Sequence, residues 1–106
     1  MAGATRNDEM AAYVFAEVEV TNPDGYKEYT KQVPATIAQY GGRFLTRGGE
    51  AHVLEGEWPK VRRVLIEFPS MDAAKRWFAS PEYAKPLAMR RANSKGRLIL
   101  LDGVAP

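Results

Sequence analysis

The sequence predicts a single α+β domain in which an antiparallel sheet carries helices on one face. Three observations predict it: strand-like alternation of apolar residues, apolar stripes at helical spacing, and glycine or proline at the junctions between them. The chain has 106 residues, of which 45% are hydrophobic and 26% are charged. This balance is typical of one globular domain with one modest core.

The first strand is predicted between Tyr13 and Val20, where apolar and polar residues alternate. A helix should follow, with Asn22 as its N-cap and Pro23 at its first position. Pro34 should kink or break this helix locally, and Gly41-Gly42 should end it. The apolar stripe that predicts the helix advances in steps of three and four residues and comprises Tyr26, Tyr29, Val33, Ile37 and Tyr40.

Two further strands are predicted in the middle of the chain. Arg43 to Arg47 is the second, and Ala51 to Leu54 should continue it beyond Gly48-Gly49, a bulge or a tight turn. Arg62 to Phe68 is the third, because its residues again alternate between apolar and charged.

The last part of the chain predicts two helical segments and a final strand. Ser70 follows a proline and should cap a helix whose apolar face includes Trp77. Ser80-Pro81 should begin a further short helix that reaches about Ala92 and that Pro86 keeps irregular. The last strand is predicted over Arg97 to Leu101. The order β-α-β-β-α-β, with an extra helical piece, is the ferredoxin-like pattern.

Composition and charge exclude several classes of protein. We interpret residues 1–10 as a mobile N-terminal arm and 11–104 as the domain, in the cytoplasm, since no segment resembles a secretory signal or spans a bilayer. The chain has no cysteine, and its single histidine is His52, so no metal site is expected. The formal charge of +2 is spread among acidic residues, and the third strand lacks stacking aromatic residues, so nucleic-acid binding is not expected.

The sheet face opposite the helices predicts a homodimer. If the helices cover the face that carries Val14 and Ile66, the other face carries an apolar group that is too large to leave in water. Two such sheets packed against each other would bury these residues and pair the charged ones. The apolar group comprises Tyr13, Phe15, Leu65 and Ile99, and the charged group comprises Glu17, Arg63 and Glu67, with Arg43 and Arg47 as further candidates.

The chain resembles the family called domain of unknown function 1330, within the dimeric α+β barrel superfamily. The residues that carry the resemblance are Asn22-Pro23 with Tyr26 and Tyr29, Gly41-Gly42-Arg43, Arg47-Gly48-Gly49, Leu54-Glu55-Gly56, Ile66 to Ser70, Trp77, Ser80 to Tyr83 and Arg90. The resemblance implies the ferredoxin-like fold and dimerisation, and it supplies no catalytic residues. Members of the superfamily include cofactor-free oxygenases and isomerases, an analogy at the level of fold.

Two residues are candidates for proton transfer. His52 is a candidate because an imidazole is the side chain suited to acid–base chemistry near neutral pH, and Glu67 could act as a base if burial raised its pKa. The alternatives are a structural or surface role for His52 and an ion pair with an arginine for Glu67.

Four arginines could bind an anion, because a guanidinium grips a carboxylate or phosphate with two hydrogen bonds. These candidates are Arg43, Arg47, Arg63 and Arg90. Arg47 stands out because Gly48 and Gly49 would let a ligand approach the backbone. The alternative for these arginines is internal pairing with glutamates. The tyrosines and Trp77 are interpreted as core residues.

Three functions fit these residues. The first is a cofactor-independent enzyme that acts on a small anionic metabolite in a pocket between sheet and helices. In that case Arg47 or Arg43 would hold the anion, and His52 or Glu67 would move a proton. The second is a non-catalytic ligand-binding or regulatory module, and the third is a structural protein. No cofactor is expected in any of them.

Overall fold

A computed structural model describes residues 10–105, so most of the predicted N-terminal arm lies outside the described part of the chain. Four strands and three helices alternate along the sequence, and they confirm the predicted order with its additional helix. The elements are β1 Ala12–Val20, α1 Pro23–Gln39, β2 Arg43–Arg47, β3 Arg62–Phe68, α2 Met71–Phe78, α3 Pro81–Asn93 and β4 Ser94–Asp102.

The four strands form one antiparallel sheet in the order β2-β3-β1-β4. This is the ferredoxin-like arrangement, so the predicted fold class is confirmed. β1 is central, and its Phe15 lies opposite Leu65 of β3 and Ile99 of β4. β4 is longer than predicted because its pairing with β1 starts at Ser94 and continues to Asp102.

The core lies between the sheet and the helices, on the predicted face. Alternate residues of β1 and β3 point into it, while Trp77 of α2 and Tyr83 of α3 are fully buried against them. The Trp77 ring packs 4.2 Å from the Tyr83 ring and 5.3 Å from the Phe68 ring, measured between centroids. The remaining members of the core include Val14, Val18, Val33, Ile37, Val64 and Ile66.

The predicted side-chain caps form at two of three helix starts. The hydroxyls of Ser70 and Ser80 accept hydrogen bonds from the backbone N–H groups of the residues three positions later. Asn22 occupies the N-cap position of α1 as predicted, but its side chain accepts no capping hydrogen bond from the backbone, so only that part of the prediction is wrong. The Asn22 amide instead donates a 2.9 Å hydrogen bond to the Asn93 side chain and ties the start of α1 to the end of α3.

Both internal prolines lie within continuous helices, contrary to the predicted interruptions at Pro34 and Pro86. Each proline removes one backbone donor. However, buried residues flank it on both sides, Val33 and Thr36 in α1 and Tyr83 and Arg90 in α3. Tertiary packing therefore holds each helix across its proline.

The segment between β2 and β3 is irregular, and the predicted continuation strand from Ala51 to Leu54 is wrong. Gly48 adopts a positive φ of 71° and turns the chain away from the sheet. The residues that follow are exposed and have no neighbouring strand with which to pair. The alternation of apolar and polar residues there therefore does not form a β-strand.

A bulge in β2 changes the predicted face of Arg47. The register with β3 shifts between Phe44 and Thr46, which inserts one residue into the alternation. Arg43 pairs with Glu67 on the open face, as predicted, whereas Arg47 pairs with Val64 on the helix side. The sequence prediction that Arg47 shares the open face is therefore wrong, because it assumed an unbroken period of two.

None of the helices within residues 10–105 is long and apolar enough to cross a membrane.

Candidate functional site

A small cavity lies between the sheet and the helices, and its polar lining includes three tyrosines and three arginines. We call it the arginine–tyrosine cavity and define it by Tyr26, Tyr29, Arg47, Arg62, Tyr83 and Arg90. Its volume is about 30 Å³. A cavity needs about 10–15 Å³ to hold one water molecule, so this cavity has room for about two or three water-sized groups.

The residues that define this cavity come from two helices and two strands, and in the helices and in β3 the period of the element places them on its buried side. Tyr26 and Tyr29 belong to the apolar stripe of α1, one turn apart. Tyr83 and Arg90 lie two turns apart on α3, so they share one helix face. Arg62 begins β3 and has the same strand parity as the buried Val64 and Ile66.

Two guanidinium groups in this cavity lack a carboxylate partner within residues 10–105, although that of Arg62 lies 5.6 Å from the centre of the Tyr26 ring. Arg90 is only 6% exposed. The Nε atoms of Arg62 and Arg90 are buried without a hydrogen-bond acceptor. Among the described residues, no carboxylate lies within 4 Å of either guanidinium. Buried charges are normally paired, so this arrangement is suited to an added anion.

Two glycines leave room for these side chains. A Cβ atom at Gly96 of β4 would lie 3.3 Å from Nη1 of Arg90 and 3.1 Å from the carbonyl oxygen of Glu17. A Cβ atom at Gly48 would collide with the Arg62 guanidinium, and the positive φ there also favours glycine. The local sequence is therefore shaped around the two arginines.

Two tyrosine hydroxyls meet inside the cavity. The Tyr29 and Tyr83 oxygens are 3.0 Å apart and form a buried hydrogen bond. Burial, together with the proximity of Tyr83, raises the pKa of Tyr29 far above its ordinary value, and the Arg90 charge only partly opposes this. Burial likewise raises the pKa of Tyr26 despite the nearby Arg62 and Arg90. Both phenols therefore stay protonated at neutral pH and can donate hydrogen bonds.

Arg47 lies at the exposed side of the cavity. Its guanidinium stacks 4.5 Å from the centre of the Phe44 ring and donates a 2.5 Å hydrogen bond to the carbonyl oxygen of Thr30. These contacts hold the side chain across the gap between β2 and α1. Of the four predicted arginines, Arg47 and Arg90 therefore line the same cavity.

The other two predicted arginines lie on the open sheet face with acidic partners. Arg43 contacts Glu67 at 2.9 Å, and Arg63 contacts Glu17 at 3.3 Å. Hydrogen bonds from Arg43 and Tyr13 lower the pKa of Glu67. These hydrogen bonds outweigh the opposing effect of burial, so the pKa of Glu67 is lowered, whereas a role as a base would require a raised pKa.

His52 lies in the irregular segment, away from the arginine–tyrosine cavity. Its side chain is 78% exposed and contacts Glu50 at 2.8 Å. With Arg63 and Trp58 it borders a wide hollow of about 610 Å³ on the open sheet face. The Arg63 guanidinium is already bonded to Glu17 and to the Pro59 carbonyl oxygen. The smaller cavity is therefore the better candidate site, because it contains the buried Arg90 and the two buried Nε atoms, of Arg62 and Arg90, that have no acceptor in the described part of the chain.

The ion cluster on the open face makes a pH-dependent contribution to stability. Arg97 and then Arg63 hold the pKa of the buried Glu17 below its ordinary value of 4.5. The stabilisation is therefore present above that value and is lost as the pH falls through the lowered pKa, because the unfolded chain takes up the proton first. We expect Glu17→Gln to be less stable than wild type at about pH 7 and to lose less stability on acidification to about pH 3.5.

Urea unfolding at both pH values measures this effect, and Glu19→Gln, an exposed position on the same strand, is the matched control. Equal pH dependence in wild type and Glu17→Gln would contradict the role of this cluster.

Four members of the site were missed as functional residues by sequence reasoning. Tyr26, Tyr29 and Tyr83 fit the stripes of core residues, and only a structure shows that the Tyr29 and Tyr83 hydroxyls meet. The position of Arg62 could have been predicted from the sequence. It alternates in phase with Val64 and Ile66, so it belongs to the buried face of β3.

Solved structures with the same fold have distant sequences. A protein of unknown function from Rhodopseudomonas palustris, RPA0582, is 21% identical, with 92% of this chain and 85% of that chain covered and a TM-score of 0.74. SnoaB, a cofactor-independent oxygenase from Streptomyces nogalater, is 18% identical, with 92% and 96% covered and a TM-score of 0.62. A conserved protein of unknown function from Bacteroides thetaiotaomicron, described as a possible oxidoreductase, is 11% identical, with 89% and 98% covered and a TM-score of 0.62.

These identities establish similarity of fold alone, and no curated protein gives a significant match. A family model covers nearly the whole domain. The model described as domain of unknown function (DUF1330) matches residues 11–104 and confirms the resemblance seen in the sequence. The chain therefore belongs to the DUF1330 family.

Proposed function

We propose that this protein binds a small organic anion in the arginine–tyrosine cavity. The observation that carries the proposal is the Arg90 guanidinium, which is more than nine-tenths buried and whose Nε atom has no acceptor. A buried cation without a partner is costly, and a bound anion offsets that cost.

A carboxylate is the anionic group that suits this lining best. Its two oxygens accept parallel hydrogen bonds from a guanidinium. The volume of about 30 Å³ admits only the polar end of such an acid, about two or three water-sized groups, so its remaining atoms would extend toward the exposed side of the cavity. The phenols and guanidinium groups supply donors, and the apolar walls come from residues such as Val18 and Val33. Apolar walls with a few convergent polar groups are typical of small-molecule sites.

Replacing the buried arginine tests the proposal. We expect Arg90→Met to weaken propionate binding by about 10- to 100-fold, because hydrogen bonds to a charged group contribute about 1.5–3 kcal/mol. Isothermal titration calorimetry at low salt measures the affinity. Arg91→Met is the matched control, since Arg91 is the exposed neighbour on the same helix and its loss leaves the cavity intact.

Thermal melting of both variants checks that they are folded. The proposal fails if Arg90→Met binds propionate as tightly as wild type. It also fails if wild type binds none of a panel of short carboxylic acids.

Catalysis without a cofactor is the second candidate function. The observation in its favour is the Tyr29 hydroxyl, kept protonated by burial beside an arginine. Such a donor stabilises negative charge that develops on a carbonyl oxygen. The similarity of fold to SnoaB, a cofactor-independent oxygenase, supports the same direction. Chemical conversion of a bound acid, followed by NMR, distinguishes this function from binding alone. Roles for His52 and Glu67 in proton transfer stay predictions, since neither residue lines the cavity.

We also propose that two copies pair through their open sheet faces. Ile99 and Leu101 of β4 are 54% and 45% exposed. They flank the half-buried Phe15 and Tyr13 of β1 in the sheet. The charged residues beside them form the Glu17–Arg63–Arg97 cluster, which would lie at the edge of such an interface. An apolar centre with a polar rim is the usual anatomy of an interface.

The cytoplasmic location stays a prediction.

A further inference from the structure

We infer that the ligand is a short 2-oxo acid, with its carboxylate on the arginines and its carbonyl oxygen on the Tyr29–Tyr83 pair. This inference rests on the proposed function and names the chemical class of the anion. It depends on the hydrogen-bonding capacity that the two hydroxyls leave unused.

The tyrosine pair has one donor left over. Each phenol carries one proton, and the 3.0 Å bond between the Tyr29 and Tyr83 oxygens uses only one of the two. The second proton has no further acceptor among the described residues that contact the pair. A buried donor without an acceptor is unfavourable. The pair therefore favours a ligand atom that accepts a hydrogen bond.

The cationic groups of the cavity impose the same requirement. The Nε–H groups of Arg62 and Arg90 are donors, and a guanidinium has no acceptor. A ligand in this cavity therefore meets hydrogen-bond donors from both the arginines and the phenols. It needs at least two acceptor groups, one of them anionic.

A carbonyl next to the carboxylate meets this requirement in the smallest space. The cavity of about 30 Å³ holds only a few non-hydrogen atoms. A 2-oxo group places its acceptor on the carbon directly bonded to the carboxylate, and a carbonyl oxygen accepts without donating. A 2-hydroxy group adds a donor to a site that already has too many. A simple carboxylic acid leaves the phenol proton without an acceptor.

Three acids of nearly equal size test the inference: pyruvate, lactate and propionate. We expect wild type to bind pyruvate about 3- to 10-fold more tightly than propionate, the ratio that one net hydrogen bond supports. Tyr29→Phe, Tyr83→Phe and the double variant should bring the pyruvate and propionate affinities within about 2-fold of each other. Tyr40→Phe is the control, because its hydroxyl bonds to Glu82 outside the cavity.

The possible outcomes distinguish specificity for a 2-oxo acid from anion binding in general. Pyruvate and propionate affinities that are equal in wild type overturn the 2-oxo acid and leave anion binding intact. Lactate that binds more tightly than pyruvate also overturns it. A panel in which no acid binds overturns the proposed function itself. The comparison of acids in wild type needs no variant, so a misfolded phenylalanine variant cannot hide the answer.

Discussion

We expect Trp77→Ala to lower the free energy of unfolding by about 3–5 kcal/mol, the range for removing a large aromatic side chain from a core. Trp77 is only 1% exposed and packs against Phe68 and Tyr83. Its indole N–H also donates a 3.0 Å hydrogen bond to the Thr36 hydroxyl. The substitution therefore removes a ring at the meeting point of α1, α2 and α3 and leaves a cavity that the helices cannot close.

The other tryptophan provides a matched control. Trp58 is 54% exposed in the irregular segment, where its ring lies beside Arg63. We expect Trp58→Ala to change stability much less, since little of its surface is removed from water on folding. Urea unfolding followed by circular dichroism measures both variants. A loss below about 1 kcal/mol for Trp77→Ala would contradict the position assigned to it in the core.

Ile99→Glu should convert the proposed dimer into a folded monomer. In a two-fold interface each substitution appears twice, so two carboxylates would be buried near the centre of the sheet face. We expect the dimer dissociation constant to rise at least about 100-fold, because a buried, unpaired charge costs several kcal/mol. The monomer should keep its fold, since Ile99 is half exposed in the single chain.

Sedimentation equilibrium at micromolar concentration measures the mass, and circular dichroism checks the fold. Gln32→Glu is the control, because it adds the same charge at an exposed position on α1, on the helix side of the sheet. A wild-type protein that sediments as a monomer contradicts the proposed pairing. An Ile99→Glu variant that remains a dimer places the interface elsewhere.

Much of the fold could be predicted from local patterns. The alternation in β1 and β3 and the stripe in α1 each correspond to a buried face, since burial imposes its period on the sequence. Serines followed by helical patterns correctly marked the starts of α2 and α3. The failures occur where tertiary contacts decide, at the prolines that packing tolerates and at Ala51 to Leu54, where no partner strand is available.

The candidate site was only partly predictable, for a related reason. Arg90 and Arg47 were among the four predicted arginines, but sequence alone could not separate them from Arg43 and Arg63. The distinction depends on which guanidinium groups meet a carboxylate, and that depends on strand register. In β2 the bulge after Phe44 places Arg47 on the helix side. The hydroxyl contact between Tyr29 and Tyr83 joins residues 54 positions apart, so no local pattern reports it.

The guanidinium groups of Arg62 and Arg90, each with a buried Nε atom that has no acceptor, indicate a compromise between stability and function. Two like charges beneath one sheet weaken the fold, and apolar residues of similar size often stabilise a protein when they replace buried charges. Natural chains retain such weaknesses where activity requires them. In this protein the two guanidinium groups lie on α3 and β3, so they lower the stability of both elements. A bound acid would therefore stabilise α3 and β3 together.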